Sequence, residues 1–408
     1  MIHVCFGLHD KTGRYSKFTG TAMLSIFANT NSKITVHILH DNTLSIENRD
    51  KFIYLAGQYG QFVKFYNVEK LCADRIEKIY QSFPRIDKRR FSIATFYRFF
   101  IPVVFPNDIE KAIYLDSDII VNIDINEFWK IELGDKVLGV VPENTLGAKS
   151  QNQPLCLAGY VKGEDYFNAG VLLMNLTLLR EKEATIIGGI KFLSENPQYE
   201  KYLDQDVLNY CFSTESLTLP VKFNMMMHLP VVKKKENIDK EIYHFSAHSL
   251  RLNMNNPFFR LYINYFMKTP WFDENTIGRL YEGFLNIRNN LKRQTAKLSA
   301  TLSDKTRAFF VEPTKIESMK KFFAIRDDEI IIPAENEESI QKLIDAMKVS
   351  QGKCVFFIMT KKFLGKKFPI DLLTEAGFAL NKDFVKGWEI LSEAYGGPFN
   401  SYPLIQAM

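Results

Sequence analysis

The run IYLDSDIIV (residues 113–121) is apolar and β-branched, the composition of a strand buried in a sheet, yet it carries two carboxylates, Asp116 and Asp118. Residues two apart on a strand project to the same side, about 7 Å apart along the backbone. Burying one unpaired carboxylate is costly, and a second beside it raises the cost. A positive partner is therefore required. Basic side chains can supply it as an ion pair, or a hard divalent cation can. A D-x-D tripeptide does not by itself separate these readings, and the apolar flanks favour a metal at the carboxyl edge of a sheet. Oxygen ligands suit Mg²⁺ or Mn²⁺, and an added imidazole tilts the choice toward Mn²⁺. Such an ion would clamp a diphosphate and take up charge as a nucleotide leaves.

Other residues with usable chemistry are spread along the chain. His9 and Asp10 follow the first apolar run, where an Asp is equally at home in a simple turn. Arg98 could pair with a diphosphate or with Asp116, or could be an ordinary surface residue of a helix. Asn168, Ala169 and Gly170 introduce an apolar run, and Gly lets a ligand approach the backbone closely; a strand-entry turn would use the same tripeptide. Asp204, Gln205 and Asp206 open a helix, where carboxylates suit the helix dipole and Asp204 could simply be a cap. His244 ends a short apolar strand, a place more often held by a hydrogen-bonded core histidine.

These residues need a scaffold, and the hydrophobic pattern describes one. Residues 2–8, 33–41, 62–68 and 112–121 read as strands, with helical spacing at 17–30, 46–60 and 94–106 between them. This alternation, with near-continuous apolar strands, predicts a mainly parallel, doubly wound α/β sheet. Ligands on such sheets sit beyond the carboxyl ends of the strands, where His9 and Asp10 would lie. Farther on, 166–176 and 242–246 read as strands and 202–212 as a helix. Residues 275–300 form an amphipathic, increasingly basic helix in this reading, within a linker over 271–304. A second alternation follows from 305 to 408, with strands at 307–313, 328–334, 353–359 and 383–391 and helices at 337–350 and 368–377. About 100 residues is enough for a small independent α/β domain.

Composition bounds the function classes. The chain has 408 residues, 46% apolar and 24% charged, which argues for a folded protein of more than one domain. A net charge of +5, with basic runs dispersed, gives little reason to expect a nucleic-acid partner. The five cysteines are widely spaced and include no C-x-x-C pair, so neither a zinc site nor a disulfide framework is expected, and a reducing, cytoplasmic setting is. The first ten residues, MIHVCFGLHD, lack the basic and apolar regions of a signal peptide, and no apolar run approaches the ~20 residues of a bilayer span.

YLDSDIIV (114–121) followed by NIDINEFW (122–129) strongly resembles the retaining glycosyltransferases of family 8, which adopt the nucleotide-sugar-binding GT-A fold. The likeness continues in order through FNAGVLLMNL (167–176), LDQDVLN (203–209), LPVKFN (219–224) and YHFS (243–246), with VCFGLHD and ATFYRFFIP upstream. It covers residues 1–270, and residues 305–408 resemble no family we can name. The resemblance implies that Asp116, Asp118 and His244 hold Mn²⁺, with Mg²⁺ an alternative. It places Asp10, with His9 departing from the family's acidic pair, at the uracil and ribose. It also places Arg98 and Ser117 near the donor, Asn168–Gly170 along the sugar pocket, Asp204 on sugar hydroxyls and Gln205 near the anomeric carbon, with Asp206 an alternative participant. One motif departs. The family pattern H-x-x-G-x-x-K-P-W is here His244-Phe-Ser-Ala-His-Ser-Leu-Arg251, which lacks the lysine that contacts the diphosphate and leaves His248 and Arg251 as replacements.

The expected activity is transfer of a hexose, galactose before glucose, from a UDP-sugar to a hydroxyl of a bacterial surface glycan carried on protein or lipid, with the anomeric configuration retained. The basic helix could touch a membrane surface or a partner enzyme, or be an interdomain strut. A catalytically weak GT-A binding partner is the competing class, motivated by the altered loop after His244. A nucleotidyltransferase is a third reading, but GLHDKTGRY is a poor phosphate loop.

Overall fold

The computed structural model describes residues 1–84, 86, 92–143, 150–228, 231, 235–245, 256–278, 282, 285, 305–323, 325–360 and 368–388. The chain divides into two compact units, residues 1–274 and 275–407.

In the first unit, β1 (Ile2–Leu8) is followed by helix α1 (Arg14–Ala28), β2 (Ile34–His40), helix α2 (Ile46–Gln58) and β3 (Phe62–Asn67). All seven residues of β2 are buried, as expected of a strand covered on both faces. β4 (Lys111–Leu115) then pairs with β1 on the side away from β2. The chain adds β5 (Ile119–Val121), β6 (Leu138–Pro142), β7 (Phe167–Asn175) and β8 (Ser216–Thr218). The main sheet has seven strands in the order β3-β2-β1-β4-β7-β6-β8. Its first four strands run parallel, while β7 is antiparallel to both β4 and β6. The sheet is thus mixed and mainly parallel, as the doubly wound reading expects. The strand order reverses between β1 and β4, which opens a crevice beyond their carboxyl ends. His9 and Asp10 follow β1 at that edge, and Asp116 to Asp118 follow β4.

The largest departure from the sequence reading falls on the run 112–121, expected as one strand. It is broken. Its first part is β4 in the main sheet, while β5 joins a separate three-stranded sheet with β9 (Met225–Met226) and β10 (Ile242–His244) in the order β5-β10-β9. Asp116, Ser117 and Asp118 are the crossing between the sheets, so the two carboxylates do not occupy one continuous ladder. Leaving the ladder lets them avoid burial without a partner, and each side chain keeps 29% exposure. The expected helix over 94–106 also differs. It is a 3₁₀ segment, Ile93–Phe100, followed by one short α-turn, Ile101–Val104. Three residues per turn align Thr95 with Arg98 on one side.

Helix Asp204–Phe212 lies against β7, where Asn209 accepts from the Phe167 N–H at 2.8 Å and donates to its carbonyl at 2.9 Å. α1 packs closely on Trp271, and a Cβ at Gly20 would overlap the indole ring.

The second unit is a parallel four-stranded sheet of β11 (Thr306–Val311), β12 (Ile330–Pro333), β13 (Cys354–Ile358) and β14 (Phe384–Val385), in the order β12-β11-β13-β14. Alternate side chains feed its two faces. Ala308, Phe310, Phe356 and Ile358 pack with Ile340, Leu343 and Leu373, and Phe309, Val311, Val355 and Phe357 pack on the other side. Helix Glu337–Ser350 starts with a capping box between Asn336 and Ser339. Of the strand expected over 383–391, the described residues form a strand only at Phe384–Val385, and residues 389–391 lie outside them. The expected basic helix over 275–300 lies largely outside the described residues. Among the described residues, no helix is long and apolar enough to cross a membrane.

Candidate active site

Three elements converge at the crossing between the sheets. β4 delivers Asp116, the approach to β5 delivers Asp118, and the end of β10 delivers His244. His244 Nε2 lies 3.3 Å from Asp118 Oδ1 and 3.8 Å from Asp116 Oδ2. One ligand atom from each residue lies within 4.8 Å of the other two. Register explains the meeting, because His244 pairs with Ile119, the residue after Asp118, and the Phe245 N–H bonds the Asp118 carbonyl at 2.8 Å. Burial alone would lower the His244 imidazole pKa, but the Asp118 and Asp116 carboxylates outweigh it and hold it above its ordinary value.

The cradle fits a divalent cation. Two carboxylate oxygens and one imidazole nitrogen form a donor set suited to Mn²⁺ or Mg²⁺. Gly170 of β7 backs the site, and a Cβ there would run into the His244 ring and the Asp116 carboxylate. His244 Nδ1, the nitrogen away from the carboxylates, bonds Asn224 Oδ1 at 3.1 Å and so fixes the ring.

Arg98 is 4% exposed and supplies the positive charge that the carboxylates require from the protein itself. Its guanidinium donates to Asp116 Oδ1 at 3.0 Å and pairs with Asp204 Oδ2 at 2.9 Å. It also donates to the Ala169 carbonyl and lies 4.3 Å from the centre of the Tyr114 ring. Tyr114 in turn donates to Asp116 Oδ1 at 2.9 Å. Asp204 accepts from Thr95, one 3₁₀ turn before Arg98. Complete burial holds the Asp204 carboxyl above the usual carboxylate range, and Arg98, shared with Asp116, only partly offsets it.

Gln205 is 7% exposed with both ends of its amide engaged. Its Oε1 accepts from Asn168 Nδ2 at 3.2 Å and from the Ala169 N–H at 3.1 Å, while its Nε2 donates to Glu143 Oε2 at 2.5 Å. Asp206 is fully buried and accepts from the Tyr166 hydroxyl at 2.7 Å and from the N–H groups of Lys201 and Tyr202 at 2.7 and 2.5 Å. Both of its oxygens are taken by protein donors. Those bonds clamp the tight entry to the helix, where Leu203 adopts φ 50°, strained for a residue with a Cβ.

At the end of β1, His9 Nδ1 lies 2.5 Å from Asp41 Oδ2, and Tyr97 donates to the same carboxylate at 3.0 Å. Asp10 accepts from the Tyr15 N–H at 2.8 Å, from Asn48 at 3.1 Å and from Ser16, which stitches the start of α1. Ser117 shares a 2.8 Å hydrogen bond with Thr19. The structure therefore gathers Arg98, Asp116, Asp118, Asn168, Ala169, Gly170, Asp204, Gln205 and His244 around one crossing, with His9, Asp10 and Ser117 along the neighbouring edge. His248 and Arg251 lie outside the described residues. Sequence reading missed Glu143, Asn224, Asp41, Tyr114 and Tyr166. Tyr114 and Tyr166 read as ordinary core, and Asp41, Glu143 and Asn224, at the ends of apolar runs, read as turns; only the partners they meet reveal them.

The comparisons with known proteins agree with this geometry. A family model described as Glycosyl transferase family 8 matches residues 8–249. Lipopolysaccharide glucosyltransferase WaaO of Escherichia coli (strain K12) is 29% identical over 225 residues, covering 54% of this chain and 62% of that protein. Lipopolysaccharide 1,3-galactosyltransferase of Salmonella typhimurium is 26% identical over 215 residues, covering 52% and 60%. The chain thus spans about three fifths of the length of the curated relatives it matches. The crystal structure of galactosyltransferase LgtC in complex with donor and acceptor sugar analogs superposes with a TM-score of 0.51 at 22% identity, over 66% of this chain and 96% of that one, and shows the shared GT-A fold. The mixed sheet, the ordered motifs and a family match over more than half of the sequence agree: this chain belongs to glycosyl transferase family 8.

Proposed function

We propose that this protein transfers a hexose from a UDP-sugar to a hydroxyl of a bacterial surface glycan, with the anomeric configuration retained and with dependence on a divalent cation held by Asp116, Asp118 and His244. The observation that carries the reading is the convergence of these three side chains at the strand-order reversal, with Arg98, Asn168, Asp204 and Gln205 packed beside them. Galactose is the first donor to test and glucose the second, and relatives named for each sugar resemble the chain to a similar degree, which keeps both in the panel.

A bound Mn²⁺ or Mg²⁺ would supply Lewis-acid stabilisation to the leaving diphosphate. The chain's own residues do the rest. Arg98 holds Asp116 and Asp204 in place, so the carboxylates are pre-oriented rather than gathered during the reaction. Gly170 keeps the cradle open. Asn168 and Asp204 would hold sugar hydroxyls, and Gln205, a weak nucleophile whose amide is held at both ends, would sit near the electron-poor anomeric centre. In that case the acceptor attacks from the face that UDP leaves, and the departing phosphate takes the acceptor proton. His9 and Asp10 would face the nucleoside, and His248 or Arg251 would replace the family's diphosphate lysine. The acceptor glycan could be carried on lipid or protein, and the basic stretch at 275–300 would bring a membrane surface or a partner enzyme near.

A panel of UDP-hexoses assayed for UDP release with and without Mn²⁺ tests this reading. Release should require the metal and should fall at least about 100-fold in Asp118→Ala. A folded protein that turns over no UDP-sugar in the presence of acceptor glycans would instead identify a GT-A binding module.

A further inference from the structure

We propose that Asn224 is a positioning residue for His244, the last link of a buried chain of amides that keeps a proton on His244 Nδ1 and leaves Nε2 for the cation. The part of this inference that concerns affinity rests on the metal reading above. The chain runs Glu143, Gln205, Asn168, Asn224, His244, drawn from five separate segments of the sequence. Gln205 Nε2 donates to Glu143 Oε2 at 2.5 Å, Asn168 Nδ2 donates to Gln205 Oε1 at 3.2 Å, and Asn224 Nδ2 donates to Asn168 Oδ1 at 2.9 Å. Asn224 Oδ1 then faces His244 Nδ1 at 3.1 Å.

The direction of this chain is forced. A carboxamide can be turned end for end, but a backbone N–H can only donate. The Ala169 N–H bonds Gln205 Oε1 at 3.1 Å, and the Gly170 N–H bonds Asn168 Oδ1 at 2.9 Å. These two donors fix which end of each amide is oxygen. Asn168 Oδ1 must then accept from Asn224, which leaves only the Asn224 oxygen for His244. An oxygen in that place accepts, so His244 Nδ1 carries a proton whether the ring is neutral or charged. Asn224 is fully buried, so water offers no substitute acceptor. The same chain ties the cation cradle to the Gln205 amide, so the metal ligand and the sugar-pocket residue share one hydrogen-bonded frame.

The test uses the intact protein and two readouts. In the metal-free protein, ¹H–¹⁵N correlation spectra of the histidine rings should show an exchange-protected His244 Nδ1–H. Asn224→Leu should lose it, while Asn224→Asp, which keeps the acceptor but not the donor toward Asn168, should retain it. Calorimetric titration with Mn²⁺ should show roughly 10–100-fold weaker binding in Asn224→Leu and little change in Asn224→Asp. A wild-type His244 without a proton on Nδ1 would overturn the proposal, as would native Mn²⁺ affinity and a protected Nδ1–H in a folded Asn224→Leu. If Asn224→Leu does not fold, the wild-type and Asn224→Asp spectra still decide. A protected Nδ1–H in a wild-type protein that binds no Mn²⁺ would support the positioning role and reject the metal reading, so the two failures are distinguishable.

Discussion

Arg98 shows how much one buried side chain can organise. It pairs with carboxylates from two elements, Asp116 and Asp204, and lies against Tyr114. Arg98→Met keeps much of the apolar stem and removes the charge, stranding two carboxylates beside each other. We expect a loss of about 3–5 kcal/mol in unfolding free energy, measured by urea denaturation. A loss under about 1 kcal/mol would show that water or another cation compensates. Asp41 gives a pH-dependent counterpart at the edge of the site. Burial would raise its carboxyl, but hydrogen bonds from His9 and Thr43 outweigh that and lower it to about 2. A depressed folded-state pKa contributes stability that is fully present above the unfolded value near 3.8 and is lost as pH falls through about 2. Asp41→Asn should therefore be less stable at neutral pH by roughly 2 kcal/mol and should show a flatter stability curve between about pH 4 and 2. Parallel curves for the two proteins would refute the assignment.

At the scale of elements, the site exists because four pieces of chain meet at one point: the end of β4, the start of β5, the end of β10 and the first residues of β7. Gly170 is the tolerance in that fit. Gly170→Ala would press a methyl group into the His244 ring and the Asp116 carboxylate. We expect at least a tenfold loss in Mn²⁺ affinity with about 1–3 kcal/mol of destabilisation, checked by calorimetry and denaturation on the same sample. Unchanged affinity would mean that the strand yields without moving the ligands. The entry to helix Asp204–Phe212 follows the same logic, since the Asp206 carboxylate ties down two N–H groups ahead of the strained Leu203. A loop held this firmly can keep Asp204 and Gln205 in fixed positions without a ligand to order them.

At the scale of the molecule, every described candidate residue lies in the unit spanning residues 1–274, which has its own extended core running from Cys5 to Phe212. The unit spanning 275–407 has apolar clusters on both faces of its own sheet. A fragment of residues 1–278 should therefore fold in one cooperative transition and should retain Mn²⁺-dependent UDP release at a rate within about threefold of the full chain. Aggregation of the fragment, or loss of release in a folded fragment, would show that the first unit depends on the second.

The amino-acid sequence by itself determined the strand–helix alternation and the family and pointed to the candidate site residues, because apolar periodicity and ordered motifs are local properties of a chain. It also raised the demand for positive charge near Asp116 and Asp118. It did not reveal that the strand carrying them breaks, because a run of β-branched residues looks the same whether one sheet or two receives it. Nor could it identify Glu143 or Asn224, since a polar residue at the end of an apolar run reads as a turn until its partners are known. Only the tertiary structure brought His244 to within 3.3 Å of Asp118 across more than a hundred residues of sequence. The physical reason is that a hydrogen bond is set by distance and direction in space, and the pairing of β10 with β5, rather than any local signal, fixes both.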